Sequence, residues 1–166
     1  MPASLTDVVR VSADGDHAIT VAGPLVVAVW RGIVAPAAVQ RSVDAMQLVM
    51  ENHPGDAVVI HVADAAAPIP GDEARRAFAN LMRAAVPPLR CASVVGEGDG
   101  FATSVARTVV GGLTLLVRPK IPFKVFATPM EASVWTVRDR PLQSKLPARP
   151  EDLVSVIEVT RSLIRP

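Results

Sequence analysis

Residues 57–62 read AVVIHV, and this uninterrupted apolar run decides how the rest of the chain is interpreted. A strand that is apolar on both faces is typical of the middle of a parallel sheet, whose two faces are covered by helices. Residues 25–32 (LVVAVWRG) precede this run and residues 90–95 (RCASVV) follow it, and both segments read as further strands rich in β-branched residues. The three segments together predict a buried and largely parallel sheet.

Helical patterns fill the intervals between these strands. Apolar residues recur at helical spacing between residues 36 and 52, and Asp72 and Glu73 open a second helix that ends before Pro87. The other predicted elements are strands at 8–12, 17–22 and 123–127 and helices at 101–118 and 129–137. Alternation of strands and helices implies right-handed crossovers and an α/β domain with a mixed, mostly parallel sheet.

The 166 residues are enough for one domain, which we place at residues 1–137. Residues 138–150 contain several prolines and are interpreted as an extended connector. Residues 151–166 predict an amphipathic C-terminal helix outside the repeating unit. Its apolar stripe is expected to cover helix 101–118 or to dock on a partner.

The composition excludes several classes of protein. Half of the residues are apolar and 20% are charged, which excludes a disordered chain, and a single cysteine, Cys91, excludes a disulfide framework or a cysteine-built zinc site. A formal net charge of +1 argues against nucleic-acid binding. The longest apolar stretch is too short to span a membrane, and the N-terminal residues lack the apolar segment of a signal peptide. We therefore expect a cytoplasmic protein.

The charges are distributed unevenly along the chain. Residues 1–102 carry 7 basic and 11 acidic side chains, whereas residues 103–149 carry 8 basic and 2 acidic ones. One interpretation is that folding removes the asymmetry. The other is a basic patch that meets an acidic partner or a second copy of the chain, formed by Arg118, Lys120, Lys124, Arg138 and Arg140.

The order of these segments resembles the STAS (SpoIIAA-like) domain family of anti-sigma-factor antagonists, which is related in fold to Sec14-type lipid-binding domains. The resemblance covers about residues 7–137. Its most typical part is the short strand that ends at Ala127 and Thr128 and the following helix with Glu131, Ala132 and Trp135. It implies a non-catalytic regulatory module that binds other proteins.

The family's phosphorylatable hydroxyl is missing from this sequence. The resemblance places it within residues 68–73, which read PIPGDE, and no Ser or Thr occurs anywhere from residue 43 to residue 92. A phosphate switch needs an oxygen to carry the phosphate, so the family's switch cannot operate here. Asp72 either supplies a permanent negative charge at this place or is an ordinary residue that caps the start of its helix.

Helix 101–118 is the most informative candidate for an interaction surface. Its apolar residues occur on nearly all faces, and such helices are buried or lie in interfaces. Two interior glycines lower its stability, which close packing of another backbone could offset. Packing in the core, a homodimer face and an apolar ligand cleft stay open as interpretations. The candidate interaction residues are Asp72, Glu73, Phe101, Val105, Val109, Gly111, Gly112 and Leu113.

Catalytic and metal-binding patterns are weak. The loop at residues 96–100 (GEGDG) lacks the spacing of nucleotide-binding loops; it is a surface turn, or a weak cation site at Glu97 and Asp99. His61 and Asp64 are candidates for catalysis, but their odd spacing points them to opposite faces if the strand continues. His61 is therefore expected to be a partly buried, hydrogen-bonded residue. We predict no catalytic residue, no metal site and no cofactor.

Three functional hypotheses follow. The first is a STAS-like regulatory module that binds a protein partner or itself as a homodimer. The second, suggested by the all-round apolar helix, is a carrier or sensor of a small apolar ligand, without nucleic acid or a membrane span. The third is an enzyme that uses His61 or Asp64.

Overall fold

The computed structural model describes residues 7–99 and 101–165, with side chains at all of these positions except 101–103, 105 and 106. Six strands form one mixed sheet in which the strands lie side by side in the same order as along the chain. The first three are antiparallel neighbours, and β3 to β6 are parallel. The strands are β1 (Val9–Ala13), β2 (His17–Ala22), β3 (Leu25–Trp30), β4 (Val58–Ala63), β5 (Cys91–Gly96) and β6 (Phe123–Phe126).

Five helices cover the sheet. They are α1 (Pro36–Asn52), α2 (Asp72–Ala84), α3 (Phe101–Val117), α4 (Pro129–Arg138) and α5 (Pro150–Ser162). The helices α1, α2 and α3 connect successive parallel strands, and right-handed crossovers to a neighbouring strand on the same side place all three on one face. The opposite face is covered by α4 and α5. The prediction of an α/β domain with a mostly parallel sheet and an additional C-terminal helix is confirmed.

Side chains of the central strands alternate between the two faces, and each face has its own apolar core. On the first face, Val26 and Val59 pack with α1 residues such as Met46. On the second face, Val27 and Ile60 pack with the α5 stripe. That stripe consists of Leu153, Val156 and Ile157, all buried. The runs predicted as buried strands are therefore buried on both sides.

The C-terminal helix does not cover α3, contrary to the expectation from its apolar stripe. It packs instead on the opposite face of the sheet, against β2, β3 and α4. The hydroxyl groups of Thr20 on β2 and Thr160 on α5 lie 2.6 Å apart beneath it, both fully buried. Because Thr160 donates to the carbonyl of Val156, the Thr20 hydroxyl donates to Thr160. This buried hydrogen bond helps to position α5 over the sheet.

The connector before α5 is attached to the sheet rather than free of it. Both Ser144 and the backbone N–H of Lys145 donate hydrogen bonds to the carboxylate of Asp56, in the loop before β4. Leu146, two residues further on, is buried among the side chains of the second face. The connector thus brings the chain from α4 to the start of α5.

Candidate functional site

A cavity of about 80 Å³ lies on the first face of the sheet, between α2, α3 and the carboxyl ends of β3 to β6. Its lining is mostly apolar, and its sheet side includes Ala63, Val94 and Val125. Helix α3 contributes Val109, Val110 and Leu113. Ligands of open α/β sheets commonly bind at the carboxyl ends of the parallel strands, which is where this cavity lies.

Three aromatic rings form one wall of the cavity. The rings of Trp30 and His61 are stacked with centroids 5.9 Å apart and an interplanar angle of 6°. Phe78 of α2 packs edge-on against both, at 5.7 Å from Trp30 and 5.9 Å from His61. Trp30 and His61 lie on neighbouring strands and point to the same face, so the stacking follows from the register of β3 and β4. Each of the three rings packs against the other two, and His17 stacks on the Trp30 ring as well, at 5.6 Å between centroids.

The hydrogen bonds of His61 fix its tautomer. The indole Nε1–H of Trp30 donates to Nδ1 of His61 over 3.0 Å, so Nδ1 carries no proton. The proton is therefore on Nε2, which lies 3.4 Å from the hydroxyl oxygen of Ser42 on α1. Burial lowers the pKa of His61 to about 4. The imidazole is consequently neutral at physiological pH, as a hydrogen-bonded residue of the interior.

Asp64 and Glu97 follow β4 and β5 directly, and α5 holds both carboxylates through one arginine. Nη1 of Arg161 lies 3.0 Å from Oδ2 of Asp64 and 2.8 Å from Oε2 of Glu97. Nε of Arg31 approaches the same Asp64 oxygen at 3.3 Å. The two carboxylates therefore face arginines at the polar edge of the cavity.

The pKa values of this cluster follow from its ion pairs. Burial alone would raise the pKa of Asp64, but the hydrogen bonds from Ala66 and Arg31 and the positive charge of Arg161 outweigh it and lower the pKa. Burial alone would lower the pKa of Arg161, but Glu97, Glu158 and Asp64 raise it. Both groups are therefore charged at neutral pH.

Two further arginines line the cavity, and their partners differ. Nε of Arg75 on α2 donates to the carbonyl of Pro70, and its Nη1 lies 3.6 Å from Asp72. Arg107 on α3 donates from Nη2 to the carbonyl of Gly96 over 2.9 Å. Its Nε is buried and has no hydrogen-bond partner within the described residues.

The predicted interaction surface of α3 is only partly brought together. Val109 and Leu113 line the cavity, whereas Phe101 and Val105 have side chains outside the described part of the structure. Of the three interpretations left open for α3, packing in the core does not agree with the described side chains, each of which is half-buried or exposed. Leu115 and Leu116 are 79% and 74% exposed. Among the described contacts, α3 lies over β5 and β6, at the edge of the sheet, and beside α2.

The two glycines of α3 do not mark a close approach to another element. A Cβ atom at Gly111 or Gly112 would have no described atom within 4 Å. Close packing of another backbone against these glycines is therefore not found within the described residues. An alanine at either position would meet no steric obstacle.

Asp72 and Glu73 are exposed at the start of α2 and are not part of the cavity lining. The interpretation of Asp72 as a helix cap is wrong: Gly71 occupies the N-cap position, and no side chain caps this end. Asp72 is the first helical residue, so its carboxylate interacts with the positive end of the helix dipole and with Arg75.

The loop after β5 is tied to α5 through Glu97. Its carboxylate accepts from Nη2 of Arg161 over 2.8 Å, so it faces a guanidinium group. Asp99 is exposed, and Gly100 lies outside the described residues. Within residues 7–99 and 101–165, no group of three or more potential metal ligands was found.

The structure also corrects the expected separation of His61 and Asp64. Both residues line the cavity, because β4 ends at Ala63 and the chain turns before Asp64. Their hydrogen bonds go to different partners: His61 to Trp30 and Ser42, Asp64 to arginines. Cys91 is buried among apolar side chains as expected, and burial raises the pKa of its thiol to about 11.

Sequence reasoning missed Trp30, Phe78 and Arg107 as parts of the site. The only signal for Arg107 was that it is a lone charge in an otherwise apolar helix. Arg161 gave no signal, because the residues that it joins are 64 and 97 positions away.

None of the helices in the described part of the chain is both long enough and apolar enough to cross a bilayer. No family model, curated protein or solved structure matches the chain.

Proposed function

We propose that this protein binds a small apolar ligand in the cavity between α2 and α3. The observation that carries the proposal is the cavity itself, which has an apolar lining and lies at the carboxyl ends of the parallel strands. Apolar pockets with a few polar groups at one end are the usual form of small-molecule sites. The side chains of Trp30, His61 and Phe78 pack against one another, and these contacts hold the aromatic wall in place without a ligand.

The size of the cavity limits the ligand. A volume of about 80 Å³ corresponds to roughly five to eight water-sized positions at about 10–15 Å³ each. An alkyl chain of about six to eight carbon atoms fits this space when its head group lies at the polar edge of the cavity. Binding removes apolar surface of both partners from water, which is favourable by about 0.8 kcal/mol for each methylene group.

The test is a titration with linear 1-alkanols of increasing length, in which the fluorescence of Trp30 reports binding. The variant Trp135→Phe removes the second tryptophan, which lies on α4 at the other face of the sheet. We expect affinity to rise about fourfold per methylene, in line with the transfer free energy, and to stop rising near eight carbons. Absence of saturable binding at every length would refute the proposal.

A cavity-filling variant makes the test specific. Val94 lies on β5 and lines the cavity, so Val94→Phe places a ring in the space and is expected to abolish alkanol binding. Val159→Phe is the matched control, since Val159 is 45% exposed on α5. Equal alkanol binding by the two variants would show that the alkanols bind elsewhere.

We also propose a second candidate function, a STAS-like module that binds a second copy of the chain without a phosphate switch. The exposed Leu115 and Leu116 support it, because adjacent exposed leucines on one helix are typical of interfaces. The basic segment 103–149 and the acidic segment 1–102 offer complementary charges for two copies. Its cytoplasmic location stays a prediction.

Light scattering tests this second candidate. We expect the protein to be a dimer and the double variant Leu115→Asp, Leu116→Asp to be a monomer with an unchanged melting temperature. Leu142→Asp is the control, because Leu142 is fully exposed in the connector. The dimer would be contradicted if the wild-type protein stayed monomeric over a 100-fold range of protein concentrations.

A further inference from the structure

We infer that the ligand carries a carboxylate and that Arg107 binds it. This inference rests on the proposed function and names the chemical class of the ligand: a short-chain, linear monocarboxylic acid. It follows from the charged groups at the polar edge of the cavity and from the way in which each of them is already paired.

Both carboxylates of the cavity lining are neutralised by arginines from outside α2 and α3. Asp64 is paired with Arg31 and Arg161, and Glu97 is paired with Arg161. Of the two lining arginines, Arg75 lies near Asp72. Asp64, Glu97 and Arg75 therefore each face an opposite charge, and together these pairs leave little charge for a ligand to compensate.

Arg107 is different. Within the described residues no carboxylate lies at ion-pair distance from its guanidinium group, which donates only to the neutral carbonyl of Gly96. Its Nε–H is buried without a partner, and a buried donor in this state is costly unless another group accepts its hydrogen bond. An anionic oxygen in the cavity would accept that hydrogen bond and balance the charge.

The position of Arg107 orients the ligand. Gly96, its hydrogen-bond acceptor, is the last residue of β5, whereas the aromatic wall is formed by residues of β3, β4 and α2. A carboxylate at Arg107 therefore leaves the alkyl chain among Val109, Leu113 and the aromatic wall. One unpaired guanidinium matches a single negative charge, and the planar guanidinium fork matches the planar carboxylate.

The experiment compares octanoate with 1-octanol, which share a chain length and differ in the charged head. At neutral pH octanoate is ionised, as carboxyl groups with ordinary pKa values are. In the Trp135→Phe background, we expect octanoate to bind at least about tenfold more tightly than 1-octanol, the ratio that corresponds to one charge-assisted hydrogen bond. Equal affinities for the two compounds would overturn the inference while leaving the proposed function intact.

Arg107→Gln tests the residue itself. We expect octanoate affinity to fall about tenfold and 1-octanol affinity to change by less than about twofold, and retained octanol binding shows that the cavity is folded. Arg107→Lys keeps the charge without the planar fork and should recover part of the octanoate affinity. Arg76→Gln, an exposed neighbour on α2, is the control and should leave both affinities unchanged.

The outcomes separate the two proposals. If neither compound binds to the wild-type protein, the proposed function fails and this inference fails with it. If both bind and Arg107→Gln weakens them equally, or weakens neither, Arg107 does not recognise a carboxylate and only this inference fails.

Discussion

The surroundings of the His61 imidazole make its protonation unfavourable. Both of its ring nitrogens have hydrogen-bond partners, and Trp30 and Phe78 cover the ring. Protonation would force Nδ1 to become a donor, although the Trp30 N–H already points at it. The folded protein therefore binds this proton only at strongly acidic pH, whereas the unfolded chain binds it near pH 6.5.

This difference predicts a pH dependence of the free energy of unfolding. Because the folded pKa is about 4 and the unfolded pKa about 6.5, the stability contribution is complete above pH 6.5 and is lost as the pH falls to 4. We expect a loss of about 3 kcal/mol across this range, at about 1.36 kcal/mol per pKa unit. Urea unfolding at a series of pH values measures it.

His61→Asn is the appropriate comparison, since its amide oxygen can accept from Trp30 and it does not titrate. The variant should lose less stability than the wild type between pH 6.5 and pH 4, whatever its stability at pH 7. Parallel pH profiles for the two proteins would contradict a buried, neutral His61. Asp64 has a lowered pKa in the folded protein, so its contribution to stability is lost mainly below its ordinary pKa of 3.8, outside the range from pH 6.5 to pH 4.

At the scale of the elements, α5 is held at two places of different chemistry. Its apolar stripe lies on the second face of the sheet, and Arg161 near its end reaches the carboxylates that follow β4 and β5. Arg161 is 19% exposed, and Asp64 and Glu97 are 17% and 21% exposed. We therefore expect the contribution of this cluster to the free energy of unfolding to lie between that of a surface ion pair and that of a buried one.

We predict that Arg161→Met lowers the free energy of unfolding by about 1–3 kcal/mol. The value lies between that of exposed pairs, at most about 1 kcal/mol, and the loss from breaking fully buried ones. The cause is that Asp64 keeps only Arg31 as a cationic partner and Glu97 loses Arg161. Chemical denaturation at neutral pH measures the change.

Arg149→Met is the matched control for this variant. Arg149 lies at the other end of α5 and pairs with Glu151 at 3.9 Å, but its side chain is 73% exposed. We expect a change below about 0.5 kcal/mol, as for most exposed pairs. Equal losses in the two variants would mean that the cluster at Asp64 and Glu97 contributes no more than a surface pair.

At the scale of the whole molecule, periodicity predicted the elements well and their placement less well. The run at residues 57–62 and the helix opened by Pro36 lie within one residue of the observed β4 and α1. Such patterns depend on neighbouring residues, which the sequence displays directly. The capping box at the start of α4, formed by Thr128 and Glu131, is another such local signal.

Placement depends on residues far apart in the chain, and there the prediction failed. The apolar stripe of α5 fits either face of the sheet, and the buried hydrogen bond between Thr20 and Thr160 joins positions 140 residues apart. The exposure of α3 follows from its place over the last two strands of the sheet, which its own composition does not reveal. The cavity needs side chains from four strands and two helices at once, so no single motif could indicate it.

The separation in sequence between β4 and α5 affects how the protein is made. The second face of the sheet carries Val58, Ile60 and Val62, which α4 and α5 cover in the folded protein. About 90 residues separate Val62 from Leu153, and at about 5–20 residues per second their synthesis takes roughly 5–20 s. During this interval a nascent chain that has formed β4 exposes apolar strand surface to solvent or to chaperones. On the first face the delay is shorter, since α1 is synthesised before β4 and α2 follows β4 within about 10 residues.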